Sequence, residues 1–170
     1  MAIDNCKHSF NELSKKVLPG YMAEIKKEIA SPVSMSEFSK KGVGKATALK
    51  NLNLQKDFSG CYVLIEAKRP IYVGISRSVI SRLLQHVKGT THFDASLAYR
   101  IANHGIQHNL SRTNAMKTDA FKKRFKKAKE RISKMNVVYV KIENDLEIYL
   151  FEAYCAMELD TKKWNTFATH

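Results

Sequence analysis

Residues 59–86, SGCYVLIEAKRPIYVGISRSVISRLLQH, decide the fold of this chain because they predict a β-hairpin followed directly by an amphipathic helix. The runs at 61–67 and 71–75 are rich in β-branched and aromatic residues, which favour strands. The residues between them, Lys68-Arg69-Pro70, have the composition of a turn. We therefore expect two antiparallel strands joined by a three-residue loop.

That loop fixes the register expected for the hairpin. Counting back from it places Tyr62 opposite Ser76 and Leu64 opposite Gly74. Because side chains alternate between the two faces of a strand, Tyr62, Tyr72 and Gly74 are expected to share one face of the sheet. A slip of one residue would separate the two tyrosines.

The helix that follows the hairpin presents two different sides. Its apolar residues have the spacing of a buried helical stripe and are Ile80, Leu83, Leu84 and Val87. Arg82 and His86 are four residues apart, so they are expected to project together from another side. Two phenols, a guanidinium and an imidazole suit a phosphodiester, since arginine binds phosphate oxygens through paired donors and histidine accepts a proton near neutral pH.

The order and spacing of these groups resemble the GIY-YIG nucleases. The matching elements are Gly60-Cys61-Tyr62, then Tyr72-Val73-Gly74, then Arg82 and His86. One departure is Cys61, which stands where the family has isoleucine. That position is expected to point into the core, where cysteine behaves as a small hydrophobic residue.

The family also has a metal-binding glutamate on a later helix and an asparagine beyond it. Here Leu-Phe-Glu-Ala-Tyr at 150–154 and Trp-Asn-Thr-Phe at 164–167 resemble those two blocks, which nominates Glu152 and Asn165. About 65 residues separate His86 from Glu152, more than in compact members of the family. Asn165 is expected to be a structural hydrogen-bonding residue, and Gly74 would let the backbone approach the substrate closely.

The resemblance implies metal-dependent hydrolysis of DNA. Glu152 would bind one Mg²⁺ or Mn²⁺ ion per active site, with waters completing the coordination. Arg82 would stabilise charge on the phosphate, and Tyr72 would orient the phosphate or the attacking water. The identity of the general base stays open between two residues. An unperturbed histidine of pKa about 6.5 favours His86, whereas the position of the first tyrosine in the family favours Tyr62.

The rest of the pattern predicts an α+β fold with a small three-stranded antiparallel sheet flanked by helices. Residues 137–142 form the expected third strand, and residues 145–159 form a helix with Asn144 or Asp145 at its N-cap. Glu152 lies just off the edge of the predicted core stripe and Glu147 lies on the other flank. The residues of that stripe are Leu146, Tyr149, Leu150, Ala153, Ala156 and Met157.

We expect a GIY-YIG-like nuclease domain at 58–170 and a helical N-terminal extension at 1–57. The first helix of the extension is expected to end at Pro19-Gly20 and a second to follow. Gly42-Val43-Gly44 faintly resembles the hairpin of a helix-hairpin-helix DNA module, and the alternative is a turn before a helix that packs on the core. The extension is thus a candidate for DNA contact or for a homodimer surface.

The most basic stretch of the chain, residues 116–135, predicts a helix with one apolar face. Such a face is either a solvated surface or a surface that follows phosphates, which would bring strong salt dependence and little sequence information. The candidate nucleic-acid-binding residues are Lys122, Lys123, Arg124, Lys126, Lys127 and Arg131.

Charge and cysteine content limit the classes of function. A net charge of +13 over 170 residues and a pI of about 9.7 point to a polyanionic partner, nucleic acid before membrane. The sequence has neither a membrane-length apolar run nor the apolar region of a signal peptide at its start. Three widely spaced cysteines without a Cys-x-x-Cys predict a reducing cytoplasm, no disulfides and no thiolate zinc site.

The function expected from these patterns is a metal-dependent endonuclease acting on duplex or branched DNA. The alternative is a basic nucleic-acid-binding protein on the same fold that does not cut. The complete set of two tyrosines, an arginine, a histidine and a glutamate favours the enzyme, because a non-cutting protein has little use for all five.

Overall fold

A computed structural model describes residues 3–107 and 109–167 of the chain. The strands are β1 (Val33–Ser34), β2 (Gly60–Glu66), β3 (Arg69–Ser76) and β4 (Asn136–Lys141). The helices are α1 (Phe10–Glu12), α2 (Leu18–Glu28), α3 (Ser36–Ser39), α4 (Lys45–Asn51), α5 (Val79–Lys88), α6 (Ser96–Asn103), α7 (Arg112–Ala115), α8 (Asp119–Ser133) and α9 (Asp145–Glu158). The fold is α+β, as predicted.

The sheet has the strand order β1-β4-β2-β3, and β2 pairs antiparallel with both β3 and β4. The prediction of three strands was therefore wrong by one. The additional strand, β1, is only two residues long. A strand this short carries no detectable alternation of polar and apolar residues, so the sequence pattern did not reveal it.

The hairpin turns through Ala67 and Lys68, whose φ angles are 48° and 65°. This is a two-residue turn, and the predicted three-residue loop was wrong. Left-handed backbone at both turn residues matches the right-handed twist of the strands, although glycine and asparagine are the usual residues there. A bulge between Leu64 and Ile65 then shifts the pairing by one residue. As a result, Tyr62 and Leu64 each pair with the β3 residue two positions before the predicted partner.

The contacts of the chain divide it into two compact units, which are described separately. We call Met1–Val33, Lys56–Val79 and Asn136–His170 the sheet unit, and Ser34–Gln55 and Ile80–Met135 the helical unit. The predicted boundary between residues 57 and 58 does not coincide with this division. The functional domain limits remain a prediction.

In the sheet unit, α2 and α9 share one apolar core with the sheet. The helical segment that begins at Phe10 passes through a π-helical stretch, Leu13–Val17, and continues as α2. It does not end at Pro19-Gly20 as predicted. Pro19 lies in the first turn of α2, directly after the π-helical stretch. Proline interrupts the regular α-helical hydrogen bonds, and a π-helical turn is one way in which a helix continues past such an interruption.

Helix α9 buries a different face from the one predicted. Ile148, Phe151 and Cys155 are buried, whereas Tyr149 and Met157 are 66% and 81% exposed. Apolar residues surround much of this helix, so periodicity does not define a single core side. Of the two predicted N-cap candidates, Asn144 is the one observed, because its side chain accepts a hydrogen bond from the Glu147 N–H.

In the helical unit, α5 buries its predicted stripe at Ile80, Leu83 and Val87, and Leu84 is half-buried. Helix α8 packs against α6 through the apolar face that its sequence predicted. Thr118 begins α8 by accepting a hydrogen bond from the Phe121 N–H. None of the described helices combines the length and the apolar character needed to cross a membrane.

Candidate functional site

Tyr62, Tyr72 and Gly74 share one face of the hairpin, as predicted. Tyr62 lies directly opposite Gly74, and Tyr72 lies opposite Leu64. The two phenol rings have centroids 6.3 Å apart and planes inclined by 54°. A Cβ atom on Gly74 would overlap the Tyr62 ring, so only glycine leaves room for this ring position. The close approach that Gly74 permits is thus made by a side chain of the protein itself.

The two phenols differ in exposure. Tyr62 is 1% exposed, whereas Tyr72 is only half-buried. In this conformation Tyr72 is therefore the phenol that a ligand can reach directly.

Asn165 fixes the backbone between Tyr72 and Gly74. Its side-chain Oδ1 accepts a hydrogen bond of 2.9 Å from the Val73 N–H, and its Nδ2 donates one of 2.7 Å to the Val73 carbonyl. Both bonds are buried, and β3 is the outermost strand on that side of the sheet. The carboxamide thus acts like a neighbouring strand at one residue, holding the loop after α9 against the hairpin.

Glu152 is a half-buried carboxylate on α9. Burial, a hydrogen bond with Cys155, the charge of Cys155 and the charge of Glu152 together raise the pKa of the Cys61 thiol well above its usual value. The Glu152 carboxylate therefore acts electrostatically on Cys61, the residue that precedes Tyr62. Cys61 itself is fully buried, as its position in the strand predicted.

Arg82 is held in place by the segment that begins α6. One Nη atom donates hydrogen bonds to the Asp94 carbonyl (2.8 Å) and to Gln85 Oε1 (3.0 Å), and the other donates to Ser96 Oγ (2.8 Å). These contacts fix the orientation of the guanidinium. These three bonds use the two Nη atoms, and a guanidinium carries a further N–H at Nε.

His86 lies on α5 and is completely buried, which the spacing of Arg82 and His86 did not predict. Burial, together with the positive charge of Arg82, lowers the pKa of His86 to about 3. The imidazole is therefore neutral at physiological pH. It is also a much weaker proton acceptor than the unperturbed histidine assumed from the sequence.

The predicted site residues divide between the two units. Five of them lie in the sheet unit, namely Tyr62, Tyr72, Gly74, Glu152 and Asn165. Arg82, His86 and the basic residues of α8 lie in the helical unit.

The basic side of α8 is partly committed to internal contacts. Arg124 donates hydrogen bonds to the Ala102 and His104 carbonyls and so caps the end of α6. Lys122 approaches Asp119 at 3.5 Å, and Arg131 is half-buried. The remaining predicted contacts on this helix, Lys123, Lys126 and Lys127, are exposed.

A carboxylate such as that of Glu152 fits Mg²⁺, because Mg²⁺ takes oxygen ligands and usually keeps several waters. In the described ranges, 3–107 and 109–167, Glu152 does not belong to a set of three ligand atoms close enough to share an ion. An ion there would therefore depend on water and substrate oxygens for most of its coordination.

Sequence reasoning missed a second cluster of polar side chains in the sheet unit. Glu147, predicted to lie on a flank of α9, is buried. Its carboxylate accepts a hydrogen bond of 2.7 Å from Tyr21 Oη and pairs with His8 Nδ1 at 2.8 Å. Burial alone would raise the pKa of Glu147, but the bonds from Tyr21 and His8 outweigh it and lower the pKa. Cys6 also contacts this carboxylate, at 3.7 Å. The only sequence signal was the short spacing of Cys6 and His8.

No protein-family model, no curated protein sequence and no solved structure matches the chain.

Proposed function

We propose that this protein is a metal-dependent DNA endonuclease that hydrolyses phosphodiester bonds with a GIY-YIG-type set of residues. The observation that carries the proposal is the hairpin face on which the Tyr62 ring lies over Gly74, with the Tyr72 ring 6.3 Å away on the same face. Asn165 supports it by fixing the backbone between Tyr72 and Gly74. Glu152, in the same unit, supplies the acidic group that the chemistry requires.

In this proposal Glu152 binds one Mg²⁺ or Mn²⁺ ion. A half-buried carboxylate suits this role, because it is accessible to an ion and yet shielded from bulk water. When bound there, the ion would polarise the phosphate and stabilise charge on the leaving oxygen.

Arg82 stabilises the negative charge that develops on the phosphate. Its side chain is already oriented by Asp94 and Ser96, so little conformational freedom is lost when a phosphate binds. Preorganised donors of this kind typically contribute several kcal/mol, about 2.7–4 for a single one, to the transition state.

The pKa of His86 changes the assignment of the general base. With a pKa of about 3, the imidazole is a poor acceptor for the proton of the attacking water. We therefore assign the base role to Tyr62 and make His86 a neutral positioning group. Tyr72, the more exposed phenol, contacts the phosphate or the water.

DNA, duplex or branched, is the proposed substrate, and the exposed lysines of α8 contact its phosphates. A single active site cuts one strand at a time, so double-strand cleavage would require a homodimer or two binding events.

A second function is favoured by one observation. Tyr62 and His86 are 1% and 0% exposed, so neither reaches solvent in this conformation. A basic protein that binds nucleic acid without cutting would keep these residues only for packing.

A plasmid-nicking assay with and without Mg²⁺ separates the two functions. We expect nicking that depends on Mg²⁺ or Mn²⁺, and we expect Glu152→Ala and Arg82→Ala each to reduce it at least about 100-fold, as loss of a charge-stabilising group typically does. DNA binding by both variants should stay within a few-fold of the unsubstituted protein, because neither belongs to the basic face of α8.

Glu158→Ala and Arg100→Ala are matched controls, since each removes the same charge from an exposed position on α9 or α6. Both should cut normally. Cleavage by Glu152→Ala and Arg82→Ala at the rate of these controls, or no metal-dependent cleavage by the unsubstituted protein on duplex, branched and single-stranded DNA, would refute the nuclease proposal.

A further inference from the structure

Three side chains of different chemistry converge in the sheet unit at the first turn of α9. Cys6 Sγ lies 3.7 Å from Glu147 Oε1, and His8 Nδ1 lies 2.8 Å from the same oxygen. One potential ligand atom from each residue lies within 4.8 Å of the other two. Cys6 and Glu147 are buried, and His8 is open to solvent.

We propose that Cys6, His8 and Glu147 form a binding site for a thiophilic divalent transition-metal ion, for which Zn²⁺ is the representative. This site is separate from Glu152 and its proposed Mg²⁺, and it does not depend on the nuclease proposal. It also revises the expectation, drawn from cysteine spacing, that the chain has no thiolate zinc site.

The separations of the ligand atoms fit a tetrahedral ion. Zinc bonds of about 2.3 Å to sulfur and about 2.0–2.2 Å to nitrogen and oxygen imply separations of roughly 3.6 Å between S and O and roughly 3.4 Å between N and O. The Cys6–Glu147 separation of 3.7 Å already meets this condition. The His8–Glu147 separation of 2.8 Å must lengthen, and the His8 side chain is 41% exposed and can move outward.

The charges balance when the ion binds. The Cys6 thiol gives up its proton to solvent as the sulfur–zinc bond forms, His8 binds through its neutral ring, and Glu147 binds as a carboxylate. One thiolate and one carboxylate neutralise the two positive charges of the ion. The fourth position is left for water, as in zinc sites with three protein ligands.

Tyr21 provides the supporting contact that such sites usually have. Its hydroxyl donates a hydrogen bond of 2.7 Å to Glu147 Oε2, which leaves Oε1 directed towards Cys6 and His8. Hydrogen bonds of this kind orient a ligating carboxylate and are often needed for full affinity.

The ligand set selects the ion. Sulfur and imidazole nitrogen favour Zn²⁺ and related transition metals, whereas Mg²⁺ and Ca²⁺ require oxygen ligands. The ion would link Cys6 to a residue 141 positions away in the chain. The same N-terminal segment is also held by a hydrogen bond from Asn144 Nδ2 to the Asp4 carbonyl.

Cobalt(II) is the direct probe, because Co²⁺ replaces Zn²⁺ and reports its ligands by absorption. We expect the full chain, kept reduced with a phosphine rather than a thiol, to bind one equivalent of Co²⁺ with a thiolate-to-metal charge-transfer band and the visible spectrum of a tetrahedral ion. Zn²⁺ should displace the Co²⁺ and raise the midpoint of thermal unfolding by at least about 5 °C at saturating concentration.

Cys6→Ser should abolish the charge-transfer band and the thermal shift, whereas Cys155→Ala, which removes a buried thiol from α9, should keep both. Glu147→Gln should weaken Zn²⁺ binding at least about tenfold, and Glu158→Gln on the same helix should not. Glu152→Gln should bind Zn²⁺ normally even if it cannot cut DNA, which keeps the two proposals distinguishable.

The spectrum of the unsubstituted protein decides the matter even if a variant fails to fold. Co²⁺ bound without a thiolate band, or no binding of Zn²⁺ at micromolar concentration, would overturn the proposal. Equal Zn²⁺ affinity in the unsubstituted protein and in Cys6→Ser would do the same.

Discussion

At the scale of single residues, His86 couples the stability of the protein to pH. In the unfolded chain a histidine titrates at about 6.5, whereas burial and Arg82 lower the pKa in the folded protein to about 3. Between these values the unfolded state binds one more proton than the folded state. The stability contributed by neutral His86 is therefore complete above pH 6.5 or so and is lost progressively as the pH falls towards 3.

We therefore expect the free energy of unfolding to fall by up to about 1.4 kcal/mol for each pH unit between roughly 6 and 4 from this group alone. Urea unfolding of the unsubstituted protein and of His86→Gln at pH 6, 5 and 4 measures this slope. The variant should lose it, and His104→Gln, which changes an exposed histidine, should retain it. Parallel pH profiles for the protein and His86→Gln would contradict the buried, neutral imidazole.

The contact between Gly74 and the Tyr62 ring leads to a second prediction, which concerns the stability of the Gly74→Ala variant. Gly74→Ala places a methyl group where the Tyr62 ring lies, so we expect a destabilisation of roughly 1–3 kcal/mol, as for other overpacked sites. Gly20→Ala is the control, because a Cβ there meets no atom within 4 Å and alanine favours the helix by about 1 kcal/mol.

Chemical denaturation of the two alanine variants should thus give changes of opposite sign. A double variant, Gly74→Ala with Tyr62→Ala, tests the cause. Its loss should be smaller than the sum of the two single losses, because removing the ring removes the clash.

At the scale of elements, some of the cations of α8 bind backbone carbonyls within the protein and others are exposed to solvent. Arg124 caps α6, and Lys129 donates a hydrogen bond of 2.9 Å to the Gly89 carbonyl. Lys123, Lys126 and Lys127 remain exposed and free for phosphates within the described structure. These three, rather than all six predicted residues, are the best candidates for DNA contact on this helix.

Replacing Lys123, Lys126 and Lys127 by glutamine should weaken DNA binding and reduce the slope of log K against log salt by up to about 2.7, since each phosphate contact contributes about 0.9. Fluorescence anisotropy with a duplex at several salt concentrations measures this. Glutamine at Lys15, Lys16 and Lys27 removes the same net charge from exposed sites in the sheet unit and should change the slope much less. Equal changes in the two triple variants would show that net charge alone drives binding.

Elements also show how far the sequence could be interpreted. The two long strands of the hairpin were predicted from their β-branched and aromatic composition, and the buried stripes of α5 and α8 from a clear helical period. The stripe of α9 was predicted wrongly, because apolar residues on several sides satisfy more than one helical phase. The turn at Ala67 and Lys68 could not be predicted, since neither residue favours the left-handed backbone that it adopts.

At the scale of the whole molecule, net charge and motif order favoured a nuclease over a nucleic-acid-binding protein that does not cut. Neither feature shows which side chains are buried. The shared face of Tyr62 and Tyr72 followed from a period of two and survived an error of two residues in register. The pKa of His86 depends on its complete burial, which a helical spacing of four could not reveal. The contact of Cys6 and His8 with Glu147 joins distant parts of the chain, so no local pattern could indicate it.

The carboxamide of Asn165 has a consequence for self-association. An outermost strand offers open amides and carbonyls on which a strand from another molecule can grow, and this is a common start of aggregation. Asn165 occupies both polar backbone groups of Val73, so intermolecular β-augmentation is blocked at that rung. A chain shortened before Trp164 lacks the Asn165 carboxamide. The Val73 N–H and carbonyl on the edge strand β3 are then open to pairing with a strand of another copy.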